Sequence, residues 1–411
     1  MSEPLIVIGN GMAAARLVDE LARRALGRYA VAVIGEEPRL AYNRVLLSAL
    51  LADEVGFDDI ELRPARWWRD RGVTLRYGVR ATAVDAAARN VTLAGGTRLS
   101  FSKLVFATGS QPIKPDIPGM DLPGVLTFRD VDDVNAIAAS KAAGTRVVVI
   151  GGGLLGLEAA YGLAKAGARV TLLHLMDRLM ERQLDHRAAL MLQRAVEARG
   201  IAVRLQAQTA RIAGNGKVEG VELHDGTTIA ADAVVVAVGI RANAALARTA
   251  GIEVGRGIVV DDHLETNAAG VHAIGECAEH RGCCYGLVEP AYEQAQLLAR
   301  RLAGERASYP GSVLATNLKV SGVNVFSAGD FLGATAEAEE IVLSDPAAGV
   351  YKKLVIADGR LVGAVLFGDT ADGLWYLDLI RSGEPIETFR DDLAFGRALV
   401  KRSPAPVKLA A

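Results

Sequence analysis

The chain carries one local pattern twice. Leu5-Ile6-Val7-Ile8 runs into Gly9-Asn10-Gly11-Met12-Ala13-Ala14, and Val147-Val148-Val149-Ile150 runs into Gly151-Gly152-Gly153-Leu154-Leu155-Gly156-Leu157-Glu158. In each copy the apolar run predicts a strand buried on both faces, and the glycines predict a tight turn that opens a helix. The backbone N–H groups of such a turn suit the pyrophosphate of a dinucleotide. One motif of this kind is a weak constraint, because glycine turns between strand and helix are common. Two of them, each with a second matching phrase downstream, confine the chain to a pair of dinucleotide-binding α/β modules.

The downstream phrases are Leu104-Val105-Phe106-Ala107-Thr108-Gly109 and Val234-Val235-Val236-Ala237-Val238-Gly239. They follow their glycine motifs at nearly the same interval, so the duplication covers whole domains. Ala107, Thr108, Gly109 and Gly239 are expected beside bound nucleotide. In the first module Gly9, Gly11 and Ala14 are the expected pyrophosphate contacts. Glu36, about 20 residues further on, is placed to take the ribose hydroxyls of an ADP moiety. In the second module Gly151, Gly153 and Gly156 play the first part. An acid at the end of the next strand would signal NADH, but the chain has His174 there, with Arg178 near enough to meet a 2′-phosphate; these residues leave the choice of nucleotide open. The two modules together read as sites for FAD and NAD(P)H.

At 411 residues, a domain size of roughly 150 predicts two to three domains. After Gly239 the chain returns to its first module with a strand that ends at Gly275-Glu276 and a helix opening at Glu289-Pro290. From Asn317 onward strands and turns dominate, followed by a helix at Gly373–Ser382. The expected fold is α/β: two Rossmann-like dinucleotide-binding domains plus a C-terminal α+β domain. The FAD domain is discontinuous, 1–113 and 240–316, with the NAD(P)H domain 114–239 inserted and the C-terminal domain at 317–411. Within the insert, an amphipathic helix over 185–199 should turn Leu190 and Val196 inward.

The formal charge is −2 and aromatic residues are only 5% of the chain, which gives no electrostatic or stacking reason to expect nucleic acid or an acidic membrane as partner. No apolar run approaches the ~18 residues of a membrane span, and the first motif begins too early to leave room for a signal peptide, so a cytoplasmic protein is expected. Cys277, Cys283 and Cys284 are the three cysteines. None forms a C-x-x-C, so neither a redox dithiol nor a metal ligand set is available; the thiols are expected to be inert and no metal is expected. Arg63, Arg66, Trp67, Trp68, Arg69 and Arg71 form a basic, aromatic stretch. It reads first as a helix with Trp inside and Arg outside, and alternatively as a docking patch for an acidic electron carrier.

Longer phrases carry a resemblance. They are Glu36-Glu37-Pro38-Arg39-Leu40-Ala41-Tyr42-Asn43-Arg44-Val45, Leu179-Met180-Glu181-Arg182-Gln183-Leu184-Asp185, Ile274-Gly275-Glu276-Cys277-Ala278-Glu279-His280-Arg281-Gly282, Tyr285-Gly286-Leu287-Val288 and Tyr292-Glu293-Gln294-Ala295. The chain resembles pyridine-nucleotide-dependent flavoprotein reductases of the glutathione-reductase structural type. Within them it is similar to the N-terminal flavoprotein part of assimilatory NAD(P)H nitrite reductase and to nitrate-assimilation electron-transfer flavoproteins, and more distantly to rubredoxin and ferredoxin reductases. The resemblance implies an FAD-dependent oxidoreductase, monomer or homodimer, that takes hydride from NADH, or alternatively NADPH. Its electrons would then go to a separate iron–sulfur, haem or nitrite/nitrate reductase component. It implies Arg44 as the cation near the reactive flavin nitrogen and Glu158 as the residue reaching towards the nicotinamide, the two expected catalytic residues. Glu276, beside Gly275, falls where the family holds the ribityl chain, and Val288 where a helix points its N-terminus at the flavin edge. Full-length nitrite reductases of the family continue into iron–sulfur and sirohaem modules, so a free-standing electron donor is expected. An NADH oxidase or peroxidase would normally need a cysteine near residues 40–50, where none stands. A flavoprotein that uses reduction only as a switch is the other alternative.

Overall fold

The computed structural model describes residues 2–400 except 26, 141, 321, 335 and 336, so the tail after Arg402 lies outside the described residues. The chain divides into two compact units. The first comprises residues up to Lys114, Arg129–Asn135 and Gly239–Ser312; the second comprises Pro115–Phe128, Ala136–Val238 and the residues from Val313 onward.

The first unit is built on a five-stranded sheet in the order Val271–Ala273, Lys103–Phe106, Glu3–Ile8, Tyr29–Gly35, Thr74–Tyr77, and every pairing in it is parallel. Leu5, Val7, Leu104, Val105 and Phe106 are fully buried, as expected where helices cover both faces and the strands read as continuous apolar runs. The helix Met12–Arg24 buries Ala14, Leu17, Val18 and Leu21 and packs along the helix Val288–Leu302. The strands Ala81–Asp85, Asn90–Leu93 and Arg98–Ser100 form a small antiparallel sheet, turning at Gly95 and Gly96, both with positive φ.

The second unit repeats this plan. Its parallel sheet runs Ala202–Arg204, Arg169–Leu173, Arg146–Ile150, Ala233–Val236, Val125–Thr127, again with every pairing parallel. A three-stranded antiparallel sheet, Thr209–Ala213, Gly220–Leu223 and Thr228–Ala230, sits at the same point of the chain order. The outermost strand differs in origin: the first unit takes it from late in the chain (Val271–Ala273), the second from just before its own module (Val125–Thr127). The helix His186–Glu197 buries Ala188, Ala189, Leu192 and Val196. Leu190, expected to face inward, is 48% exposed. At about 100° per residue it lies two positions, roughly 200°, from Leu192 and so on the opposite face.

From residue 315 the second unit carries a five-stranded antiparallel sheet, order Ala315–Val320, Val323–Gly329, Arg360–Phe367, Val350–Ala357, Glu339–Asp345. The helix Gly373–Ser382 packs on it and ends at Gly383, whose φ of 60° is the left-handed cap that glycine adopts without strain. This sheet and helix share their own core around Phe326, Leu354, Leu366 and Tyr376.

Residues 129–135, expected in the inserted domain, group with the first unit. Polar ties join this segment to that unit: Arg39 bonds Asp132 at 2.8 Å, Arg44 donates to the Arg129 carbonyl at 3.0 Å, and Arg129 pairs with Glu276. Among the described residues no helix is long and apolar enough to cross a membrane.

Candidate nucleotide-binding sites

The two glycine turns share their constraints at the first glycine and at the helix N-cap. Gly9 has φ +116° and a Cβ there would lie 2.0 Å from the Ala107 carbonyl oxygen; Gly151 has φ +121° and its Cβ would lie 2.2 Å from the Ala237 oxygen. These two must be glycine for the fold itself. Gly11 and Gly153 are different: their φ values, −105° and −80°, suit any residue, and a Cβ at either would meet nothing within 4 Å. Each is the N-cap of its helix with no side-chain cap, so the first-turn N–H groups face an open cradle. Among the described residues nothing requires glycine there, and a backbone left bare at a helix N-terminus suits the approach of an anion. Gly156 would place a Cβ 1.9 Å from the Gly151 oxygen, whereas its counterpart Ala14 fits fully buried.

Around the first cradle, Glu36 follows the strand Tyr29–Gly35 with its side chain 67% exposed and Arg80 3.8 Å away. The Ala107 N–H donates to the Ile8 carbonyl at 2.7 Å. Thr108 donates through Oγ1 to the Asn243 carbonyl at 2.6 Å, and the Asn243 N–H donates to the Gly109 carbonyl at 2.9 Å. Gly239, φ +118°, accepts from the Ile113 N–H at 3.0 Å. These contacts hold the ends of the strands that face the turn. Gly275, φ +78°, donates to Oε1 of the buried Gln294 at 2.7 Å. The helix of Val288 starts two residues before Pro290 and carries no side-chain N-cap, leaving a second helix N-terminus in this unit.

A chain of alternating charge runs beside it. Arg44, capped into a short helical turn by Asn43, bonds Glu37 and lies 4.8 Å above the Tyr42 ring. Burial alone would lower the Arg44 pKa, but the neighbouring Tyr42 and Glu37 outweigh it and leave it raised. Tyr42 donates to Glu37 at 2.7 Å, and burial pushes its phenol up. Arg44 also donates to the Arg129 carbonyl at 3.0 Å, and the Arg129 guanidinium pairs with Glu276, which accepts from Ser110 Oγ at 2.9 Å. Glu37 and Arg129 were not singled out by sequence. Glu37 sits beside Glu36 and was available as the second acid of a pair; Arg129 has no local signal, since its partner is 147 residues away.

Glu158 is half-buried in the helix Leu154–Lys165 of the second cradle. His174, expected at the ribose, is turned into the protein. It is 8% exposed, Nδ1 accepts from the Gly152 N–H at 3.0 Å, and Nε2 lies 3.1 Å from Glu181, so both ring nitrogens are spent inside the protein. Arg178 bonds Asp177 at 3.0 Å and approaches His186 Nε2 at 3.2 Å. Cys277, Cys283 and Cys284 are free thiols, and burial pushes the Cys277 and Cys284 thiols up, away from the reactive thiolate. In the basic stretch Trp68 is buried while Arg66, Arg69 and Arg71 are exposed. The groove beside Trp67, about 500 Å³, is lined by both signs of charge, Arg23, Arg63 and Arg71 with Asp19 and Asp70.

Residues 3–299 match the family model described as pyridine nucleotide-disulphide oxidoreductase, and residues 315–384 that of the rubredoxin NAD+ reductase C-terminal domain. A nitrite reductase [NAD(P)H] of Bacillus subtilis is 44% identical over 370 residues, 90% of this chain and 46% of the relative; the chain thus spans about half the length of the first curated relatives it matches. A ferredoxin–NAD(P)+ reductase of a Sphingomonas species is 32% identical, with 90% of each chain covered. The crystal structure of a ferredoxin reductase from Rhodopseudomonas palustris superposes with a TM-score of 0.85 at 27% identity, covering 96% of this chain and 100% of that one. With the family model covering most of the chain and the duplicated parallel sheets matching its fold, this chain belongs to the pyridine nucleotide-disulphide oxidoreductase family.

Proposed function

We propose that the chain is an FAD-dependent NAD(P)H oxidoreductase that delivers electrons to a separate redox protein. The observation that carries this reading is the pair of open cradles at Gly11 and Gly153, each at an uncapped helix N-terminus and each without a structural need for glycine. Gly9, Gly11 and Ala14 hold the FAD pyrophosphate through the turn and helix backbone, and Glu36 takes the adenosine ribose. Gly275 and Glu276, with Ala107, Thr108 and Gly109, line the rest of that site, and the helix opening at Val288 sets a partial positive charge against the flavin edge. Gly151, Gly153 and Gly156 hold NADH, with NADPH the alternative donor, and Glu158 orients the nicotinamide end. Arg44 stabilises negative charge near the flavin. When bound, FAD accepts hydride from the nicotinamide and releases electrons onward, which needs closeness and exclusion of water more than an acid or base.

Domains 1–113 with 240–316 and 114–239 are proposed to divide the work as flavin site and nucleotide site, with 317–411 as a third domain. The acceptor is proposed to be an iron–sulfur or haem protein, or a nitrite/nitrate reductase component, because the relatives' names include ferredoxin and nitrite reductases and no C-x-x-C pair is present to store electrons. Purified protein should be yellow and release FAD on denaturation. NADH should bleach the flavin band anaerobically, and stopped-flow reoxidation should be slow with oxygen and fast with a ferredoxin, rubredoxin or haem carrier. Rapid conversion of oxygen with no carrier improving on it would make the protein an oxidase; slow turnover with every acceptor would make it a redox switch.

A further inference from the structure

The two turns differ at their middle residue, and the difference is reciprocal. Strand pairing ends at Ile8 with Ile34 in the first module and at Ile150 with Leu173 in the second. Gly35 and His174 therefore occupy equivalent places, as do Asn10 and Gly152. A Cβ on Gly35 would lie 2.6 Å from Asn10 Cβ, and a Cβ on Gly152 would lie 2.6 Å from His174 Cγ. The space beneath each turn admits one side chain: the first module fills it from the turn, the second from the strand end.

In the first module Asn10 Nδ2 donates to the Arg39 carbonyl at 3.2 Å. In the second, the side chain that fills the space also grips the turn. The Gly152 N–H can only donate, so Nδ1 of His174 is the unprotonated acceptor and Nε2 carries the proton towards Glu181. The Gly152 carbonyl is held as well, accepting from the Met180 N–H at 3.0 Å. Leu179 and Met180 are fully buried, and a Cβ on Gly152 would lie 2.7 Å from Leu179 Cδ2. The far end of this loop is tied down by Asp185, which accepts from the Ala188 N–H at 3.0 Å and from the Tyr351 hydroxyl at 2.5 Å.

We infer that His174 and Glu181 are a positioning couple that fixes the second glycine turn, so that they set nucleotide affinity without discriminating between NADH and NADPH. Glu181 selects the tautomer whose Nδ1 accepts from Gly152, and the fixed turn keeps the Gly153 cradle open without cost when the pyrophosphate arrives. The inference rests on the second turn being the nucleotide cradle.

Calorimetric titration of the oxidised holoprotein with NAD+ and NADP+, which involves no turnover, tests it. His174→Leu removes the acceptor and should weaken both nucleotides by the same factor, about three- to tenfold for one neutral hydrogen bond. His174→Asn, whose Oδ1 can accept near the Nδ1 position, should recover most of the loss. Glu181→Ala should weaken both nucleotides, and Glu181→Gln, which still accepts from Nε2–H, should restore them. In steady state the same variants should raise KM with little change in kcat, and flavin content should not change. A shift in the NAD+/NADP+ ratio would make His174 a reader of the ribose and overturn the inference, as would unchanged affinity in both His174→Leu and Glu181→Ala. A wild-type protein that binds neither nucleotide would instead remove the cradle reading beneath it.

Discussion

Gly9 and Gly11 stand two residues apart, yet the geometry assigns their substitutions to different kinds of failure. Gly9→Ala puts a methyl group 2.0 Å from the Ala107 carbonyl oxygen at a φ of +116°. Backbone strain of about 1–3 kcal/mol and a contact that cannot relax without moving the adjacent strand add up, so a loss of about 3 kcal/mol or more in folding stability is expected. Gly11→Ala meets no atom within 4 Å and keeps an allowed φ of −105°. Its only folding cost is that alanine is a poorer N-cap than glycine, about 0.5–1 kcal/mol. That same methyl, however, stands where the pyrophosphate must approach. Losing one hydrogen bond to a charged group, about 1.5–3 kcal/mol, corresponds to roughly 10- to 100-fold weaker FAD binding. Urea unfolding of flavin-stripped protein would read the first effect, and titration of the same apoprotein with FAD the second. Gly11→Ala apoprotein should unfold close to wild type and rebind FAD poorly. Wild-type FAD affinity in that variant, or an unimpaired Gly9→Ala apoprotein, would refute the reasoning.

Arg129→Leu should destabilise the protein more than the double replacement Arg129→Leu/Glu276→Leu, because the single change strands a largely buried carboxylate while the double change removes both charges; urea midpoints of the two variants decide it. His272 is 5% exposed, and burial first of all, opposed by Glu265 and the Leu264 backbone and aided by Lys103 and Arg301, pushes its pKa down from 6.5 to about 4. The unfolded chain binds this proton between those values and the folded chain does not, so stability should fall as pH drops from 6.5 to about 4, by at most about 3 kcal/mol. His272→Leu should flatten that part of the stability–pH curve, and an identical slope in the variant would exclude His272 as its source. Replacing Cys283 and Cys284 by Ser should leave anaerobic flavin reduction by NADH unchanged, with no thiolate charge-transfer band lost, because the two adjacent thiols are free and form no C-x-x-C pair, and burial pushes the Cys284 thiol up.

The cradles were legible in the sequence because their causes are local. A positive φ at Gly9 and Gly151, an uncapped helix start at Gly11 and Gly153, and a buried parallel strand before each follow from residues within a dozen positions. The duplication was legible for the same reason, and it extended further than the motifs, to sheet order and the small antiparallel insert. Resemblance of longer phrases added the family. What no spacing could supply was orientation and distant pairing. His174 stood where a ribose reader was expected, but the missing side chain at Gly152 drew its ring under the turn. Leu190 was assigned inward from an apolar pattern whose phase only the packed helix decided. Arg129 reached Glu276 across 147 residues and drew its segment into the first unit. Local conformational limits are written residue by residue, while the partner of a buried charge, and the side of a turn on which a ring comes to rest, exist only once the chain has brought distant segments into contact.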